Sequence, residues 1–213
     1  MYQPSQFVED RPEVLRSLVQ AHPLGTLVTL GPDGLRADHI PFLIEDDGGR
    51  TTLRGHVARA NPLWRDLAAD TQALVIFQGP SRYITPSWYA TKRETGKVVP
   101  TYNYMVVHAH GTLRAIDDPA WVRSLVERLT DHFESGRSAP WAVSDAPDEF
   151  VTQQLRAVVG IELPVTRIEG KWKVSQNRPA ADRAGVVEGL RETGDPAAEV
   201  MASAVEAHAP KDR

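Results

Sequence analysis

One segment, residues 54–64, combines side chains that suit a phosphate site. Arg54, His56 and Arg59 lie at the end of a predicted strand, with a glycine between the first two. Asn61-Pro62 follows, and these residue types favour the first positions of a helix. A strand end and a helix N-terminus close to an arginine together suit an anion. The alternative is a solvated arginine in an ordinary strand-to-helix loop.

A second segment, residues 83–92, places two tyrosines, a tryptophan, Ser87 and Lys92 close together. Aromatic rings offer stacking faces, while hydroxyl and lysine side chains offer contacts to phosphate. The alternative, which is favoured for this segment taken alone, is a barrel strand with core aromatic residues and an exposed lysine.

A third segment, residues 99–104, could face a heterocycle. In an extended chain Tyr102 and Tyr104 share one face, and Asn103 lies on the other. An asparagine amide can bond both the donor and the acceptor edge of a ring. A strand followed by an ordinary polar turn would explain the same pattern.

A fourth segment, residues 171–178, is cationic. Lys171 and Lys173 share a predicted strand face with Ser175, and the segment ends in Gln176-Asn177-Arg178. This face could bind an anion, or it could be an exposed sheet edge protected by lysines.

Histidines are the remaining candidates for chemistry. His39, His56, His108 and His110 could in principle ligate a metal. No aspartate or glutamate falls at a companion spacing, so we expect no metal or haem site. A Ser-His-Asp arrangement cannot be assigned from residue order, and no catalytic residue is predicted.

Composition limits the function classes. The chain has 213 residues, a formal net charge of −4 and no cysteine. Disulfides and thiolate metal sites are therefore excluded. We expect no signal peptide, no membrane span and a cytoplasmic location. The mildly acidic balance disfavours a dedicated DNA-binding domain.

Local patterns predict the elements that position these segments. Helices are predicted at 12–22, from Asn61-Pro62, at 119–134 and 147–159, and from Asp182 and Asp195-Pro196. Residues 90–97 are predicted to form a loop. Strands are predicted at 24–30, 35–45, 51–57, 73–78, 81–89, 161–168 and 171–175, with one bent or two short strands over 98–116. Short strands with helices gathered late indicate a mainly β (α+β) antiparallel barrel with peripheral helices.

The four segments, in this order, resemble the PaiB-like family of FMN-binding negative transcriptional regulators. The resemblance extends over nearly the whole chain, and the ordered set of motifs is more specific than any one of them. Tyr102 stands where the family more often has tryptophan. The matching stretches are 1–7, 55–62, 86–89 with Lys92, 99–104, 175–178 and, more weakly, 185–190.

This resemblance implies a split β-barrel related to the pyridoxamine phosphate oxidases. It implies a domain at 1–180 with inserted helices at about 119–159, then a C-terminal helical extension at 181–213. FMN would lie between the subunits of a homodimer. The resemblance places Arg59 and Lys92 on the FMN phosphate, with Ser87 as a hydroxyl donor. The residues that it places beside the flavin ring or ribityl chain are Arg54, His56, Val57, Thr101, Tyr102 and Asn103. The partner subunit would contribute Gln176 and Arg178.

Three functions remain open from the sequence. The family name implies gene regulation, whereas a flavin also fits an oxidoreductase acting on a small molecule, or a flavin or haem carrier. The helical region 118–156 has four arginines against seven acidic residues. We therefore expect no direct DNA binding, although regulation through a small-molecule ligand or a partner is compatible with the chain.

Overall fold

The protein is described from a computed structural model, which covers residues 1–209. These residues form six α-helices and an antiparallel sheet of nine strands. The strands are β1 (Val8–Glu9), β2 (Leu24–Gly31), β3 (Gly34–Pro41), β4 (Leu43–Asp47), β5 (Arg50–Ala58), β6 (Gln72–Ile84), β7 (Thr101–Thr112), β8 (Arg114–Ile116) and β9 (Val158–Lys173). The helices are α1 (Pro12–Ala21), α2 (Ala90–Thr95), α3 (Pro119–Glu134), α4 (Asp148–Leu155), α5 (Ala180–Glu192) and α6 (Pro196–Ala207).

The strand order is β3-β2-β6-β7-β9-β5-β4, and β1 and β8 also pair with β9. Along β7 every second residue from Asn103 to Gly111 is buried, which is the period of a strand with one face on a core. The chain divides into two compact units, and β6, β7 and β9 each contribute residues to both.

The first unit comprises residues 1–18, 78–107 and 169 onward, with α2, α5 and α6. Its helix α5 carries Gly185 and Gly189 one turn apart against Trp88, which lies in a 3-10 helix over Pro86–Trp88. A Cβ at Gly185 would lie 2.0 Å from the Trp88 carbonyl oxygen, so this close approach requires glycine.

The second unit comprises residues 19–77 and 108–168. The β2–β3 hairpin pairs Leu24 with Pro41 at one end and Gly31 with Gly34 at the turn. Helix α3 packs against the sheet, where the ring of Trp121 lies over the backbone of Gly160. Asp118 caps this helix by accepting a hydrogen bond from the Trp121 amide at 2.7 Å.

The structure confirms the mainly β (α+β) split barrel with peripheral helices, the first hairpin and helix α3. The two helices predicted from Asp182 and Asp195-Pro196 are also present, although α5 begins at Ala180. The last four residues of the predicted C-terminal extension, 210–213, lie outside the described residues. Within residues 1–209, no helix combines the length and hydropathy needed to cross a membrane.

Several local predictions are wrong, and long-range contacts explain one of them. The predicted loop at 90–97 contains helix α2, because the buried Asp182 accepts a hydrogen bond from the Thr91 amide and Gly96 ends the helix at φ +67°. Nothing in the local sequence shows that Asp182 lies beside Thr91.

Other errors concern where strands begin and end. The predicted strand 81–89 ends at Ile84, because Thr85 caps the following 3-10 helix. The strand predicted at 35–45 is divided at Phe42, whose amide donates instead to the Pro23 carbonyl at 2.9 Å. The two strands predicted at 161–175 are one continuous strand, and the helix predicted at 147–159 ends at Leu155.

Candidate functional site

Ser87 and Lys92 lie on a stretch of backbone that α5 holds in place. Trp88 packs on the two α5 glycines, and Asp182 of the same helix holds the Thr91 amide at 2.9 Å. The Lys92 ammonium donates to the Ser87 hydroxyl at 3.1 Å, and both side chains are exposed. Lys92 forms no ion pair with any residue in the range 1–209. A cation and a hydroxyl are thus presented together on a supported backbone.

Lys173 is a partly buried cation of this unit. Its ammonium donates to the Thr101 hydroxyl and to the Tyr102 carbonyl, the latter at 2.7 Å. Burial lowers the pKa of Lys173, and the nearby charges of Lys171 and Arg178 lower it further. An anion placed beside this group would relieve that repulsion.

Lys171 and Arg178 contact aromatic rings and carbonyl groups. Lys171 donates to the Tyr2 carbonyl at 2.9 Å and lies 5.5 Å from the ring centre of Tyr104. The Arg178 guanidinium lies 4.7 Å from the ring centre of Tyr89. We call Lys171, Lys173 and Arg178 the Lys173 cluster; within the described chain, none of its members pairs with a carboxylate.

Tyr89 lies under this cluster and is 1% exposed. Its hydroxyl has no hydrogen-bond partner among residues 1–209. Burial raises the pKa of the Tyr89 phenol, an effect that the charge of Arg178 opposes. An unpaired buried hydroxyl costs free energy, and a polar ligand atom could satisfy it.

Asn103 and Gln176 support the turn that carries Arg178. The Asn103 amide is 1% exposed and donates to the Ser175 hydroxyl at 2.9 Å. Ser175 has a φ of +67°, a left-handed conformation that is uncommon for serine. The Gln176 side chain accepts from the Val174 amide at 2.8 Å and donates to the Trp172 carbonyl at 2.5 Å. These amides are satisfied within the chain itself.

Arg54, His56 and Val57 belong to the second unit, on β5. Arg54 pairs with Glu45 at 2.6 Å and with Glu162 at 2.8 Å, so its charge is neutralised. Val57 is buried in the core. His56 is half-buried beneath α3, and burial lowers its pKa and favours the neutral ring.

Arg59 is also engaged within the second unit. Its guanidinium donates to both carboxylate oxygens of Asp117 and to the carbonyls of Arg156 and Val158. This pairing lowers the pKa of Asp117. Arg59 thereby ties the end of β5 to the start of β9, and its role on a phosphate stays a prediction.

Two members of this site were not predicted as individual flavin contacts: Lys173 was predicted only as part of a cationic strand face that could bind an anion, and the buried hydroxyl of Tyr89 was not predicted. Lys173 had a usable signal, because it alternates with Lys171 and Ser175 on one predicted strand face. Tyr89 had none, since its burial depends on α5, which lies about ninety residues further along the chain. Tyr102 is 55% exposed and forms an edge-on pair with Tyr83, with ring centres 6.2 Å apart.

The strand order and the helices around it define a split-barrel fold. The FAD and heme binding protein from Mycobacterium smegmatis shares this fold with a TM-score of 0.57 at 21% identity, over 78% of this chain and 73% of that chain. The family model described as "Putative FMN-binding domain" matches residues 1–167, and the chain belongs to that family.

Two curated relatives match nearly end to end. The protease synthase and sporulation protein PAI 2 of Bacillus subtilis is 32% identical over 206 residues, covering 97% of each chain. An uncharacterized protein of Emericella nidulans is 33% identical over 241 residues, covering 96% of each. The resemblance to PaiB-like FMN-binding proteins is confirmed, and the family is one of flavin-binding domains.

Ser175→Ala removes one partner of the buried Asn103–Ser175 hydrogen bond. We expect the free energy of unfolding to fall by about 1–3 kcal/mol, because the Asn103 amide is left unsatisfied. Urea denaturation measures this change. Ser87→Ala is the matched control, since it deletes the same hydroxyl at an exposed position and should change stability by less than about 0.5 kcal/mol. Equal effects of the two variants would contradict a structural role for the buried pair.

Proposed function

We propose that the protein binds FMN, with the flavin phosphate held by Lys92 and Ser87 and attracted by the Lys173 cluster. The observation that carries this proposal is the absence of any carboxylate partner for these cations among residues 1–209. Phosphate monoesters carry a charge of about −1.5 to −2 at neutral pH and three acceptor oxygens. Such a group would pair the cations and supply acceptors for their donors.

The described residues also fit the rest of the cofactor. The exposed ring of Tyr102, paired edge-on with Tyr83, offers a face for an isoalloxazine ring. The buried Tyr89 hydroxyl lacks a partner that a ribityl or phosphate oxygen could provide. Bound FMN would supply redox chemistry, while these side chains bind and orient it.

The other residues predicted to contact FMN have different roles in this proposal. Thr101 accepts a hydrogen bond from Lys173 and so positions its ammonium group. Asn103 and Gln176 stabilise the turn before Arg178. Arg54 and Arg59 would have to leave carboxylate partners before they could bind a phosphate. We therefore assign the first phosphate contact to Lys92.

We also propose a homodimer in which a second copy of the chain covers the flavin, while Arg178 acts beside Tyr89 of its own chain rather than from the partner subunit. The support is exposed aromatic surface: Tyr83 and Tyr102 are each more than half exposed. Trp88, in contrast, is packed on α5 and needs no further cover. Large exposed rings side by side are typical of surfaces that a partner covers.

Two roles for the flavin protein follow from its relatives and its charge. A PaiB-type regulator in the cytoplasm is the first, and its support is the family name and the PAI 2 relative. A flavin-dependent oxidoreductase is the second. Acidic residues outnumber basic ones from α3 to α4, which disfavours direct contact with DNA phosphates and therefore favours the second role.

Lys92→Ala should weaken FMN binding about tenfold or more, because a charge-assisted hydrogen bond to phosphate is lost. Riboflavin, which lacks the phosphate, should keep its affinity. Quenching of flavin fluorescence during titration of the apoprotein measures both. Lys97→Ala is the matched control, since it removes an exposed lysine nearby and should change neither affinity. An equal loss for both ligands would show that Lys92 does not contact the phosphate.

Arg59 is tested in the same titration by a pair of variants. Arg59→Ala and Asp117→Ala both break one ion pair, but only the first removes the cation. A loss selective for FMN in Arg59→Ala alone would assign Arg59 to the phosphate. Equal behaviour of the two variants would assign Arg59 to the structure of the second unit.

We expect light scattering to give twice the mass of one chain. Tyr102→Asp should shift the protein toward monomer and weaken FMN binding, because a charge replaces an apolar contact at the proposed interface. Leu35→Asp is the control, since it introduces the same charge at another exposed apolar side chain, in the second unit. A monomeric wild-type protein with full FMN affinity would contradict the shared site.

The two roles are separated by two measurements on the FMN-loaded protein. We expect no sequence-specific complex with its own promoter DNA by fluorescence anisotropy at about 0.15 M salt, because the chain lacks a basic recognition element. We expect a nicotinamide donor to bleach the flavin absorbance. A nanomolar specific DNA complex would instead establish the regulator.

A further inference from the structure

A cavity of about 450 Å³ lies within the second unit, where α3 and α4 meet the ends of β5 and β9. Its apolar wall is formed by Pro119, Val122, Leu155 and Val158. Its volume falls within the range of sites that bind small organic molecules. Nothing in the flavin proposal uses this cavity beyond Arg59 at its edge.

The charged groups of the cavity are three arginines and one aspartate. Arg59 and Asp117 neutralise each other through two hydrogen bonds, and two backbone carbonyls occupy further donors of Arg59. The pair is therefore a fixed part of the wall. The remaining charge of the lining comes from Arg123 and Arg156.

Arg123 and Arg156 have donors that the chain does not use fully. Arg123 lies 3.8 Å from Glu127 and 3.7 Å from the highly exposed Asp148, which is longer than a hydrogen bond. Arg156 forms no ion pair with any residue that the structure describes. Thr152, one helical turn before Arg156 on α4, adds a hydroxyl to the lining.

We propose that this cavity binds a small organic carboxylate with an apolar body. Arg123 and Arg156 would hold the carboxylate, since a guanidinium matches two carboxylate oxygens at once. Val122, Leu155 and Val158 would cover the apolar body. Inorganic phosphate is disfavoured there, because it has no apolar body to contact Val122, Leu155 and Val158.

Calorimetric titration of the full-length protein tests this proposal with three probes: naphthalene-2-carboxylate, its neutral carboxamide and inorganic phosphate. We expect the carboxylate to bind at least about tenfold more tightly than the other two. Arg156→Gln should weaken the carboxylate about tenfold and leave the carboxamide unchanged. Arg93→Gln is the matched control, because it removes an exposed arginine on α2 in the first unit, and it should change neither probe.

A second variant tests whether the ligand occupies the cavity. Thr152→Trp places a large ring at the cavity and should abolish binding of the carboxylate, with the unfolding transition retained. Equal affinity for the carboxylate and the carboxamide, or for inorganic phosphate, would overturn the proposal. So would an unchanged affinity in Arg156→Gln.

The titrations are repeated with FMN present, so that the proposal for this cavity and the proposal for the flavin site are tested separately. Carboxylate binding that is unaffected by FMN supports a separate cavity. Carboxylate binding in a protein that fails to bind FMN supports the cavity and overturns the flavin proposal. Competition between FMN and the carboxylate, with Arg156→Gln weakening both, would make this a flavin-phosphate site and overturn the separate one.

Discussion

The candidate site depends on one close contact, the packing of Trp88 against α5. Two glycines one turn apart allow the Trp88 backbone and ring to approach closer than any side chain would permit. That contact positions the 3-10 helix before α2, and the buried Asp182 on the same helix face holds the start of α2 itself. Lys92 and Ser87 therefore take their places from a helix that follows them by about ninety residues. Groups that bind a ligand gain affinity when their backbone is already ordered.

The cations of the candidate site in the first unit have different partners from Arg54 and Arg59 of the second unit. In the second unit Arg54 and Arg59 each face carboxylates at hydrogen-bond distance, so these arginines stabilise the packing of strands. In the first unit Lys92 and the Lys173 cluster face hydroxyls, carbonyls and aromatic rings instead. Within the Lys173 cluster the cations are at least partly buried, and such cations without a counter-charge are costly and typical of sites whose counter-charge arrives with a ligand.

Hydropathy patterns and turn residues predicted the sheet-forming segments, the first hairpin and helix α3, because these depend on neighbours in sequence. Helix α2 was missed because Asp182 holds its start from far along the chain, whereas the end of β6 was missed because the local cap at Thr85 was not recognised. The family resemblance, and not residue type alone, predicted Lys92 and Ser87 as phosphate contacts. Sequence alone could not distinguish Lys92 from Arg54 and Arg59, since only the fold shows which cations have carboxylate partners. The unpaired hydroxyl of Tyr89 depends on burial, which residue order does not encode locally.

Ser175 has a consequence for which sequences this turn can accept. Glycine would adopt its left-handed backbone more readily, yet glycine would leave the buried Asn103 amide without its hydroxyl partner. An apolar residue at 103 would remove that need and make glycine acceptable at 175. Positions 103 and 175 are therefore expected to vary as a pair in related chains, with polar partners at both or at neither. Such joint variation of two positions seventy-two residues apart would indicate, from sequences alone, that they are in contact in the fold.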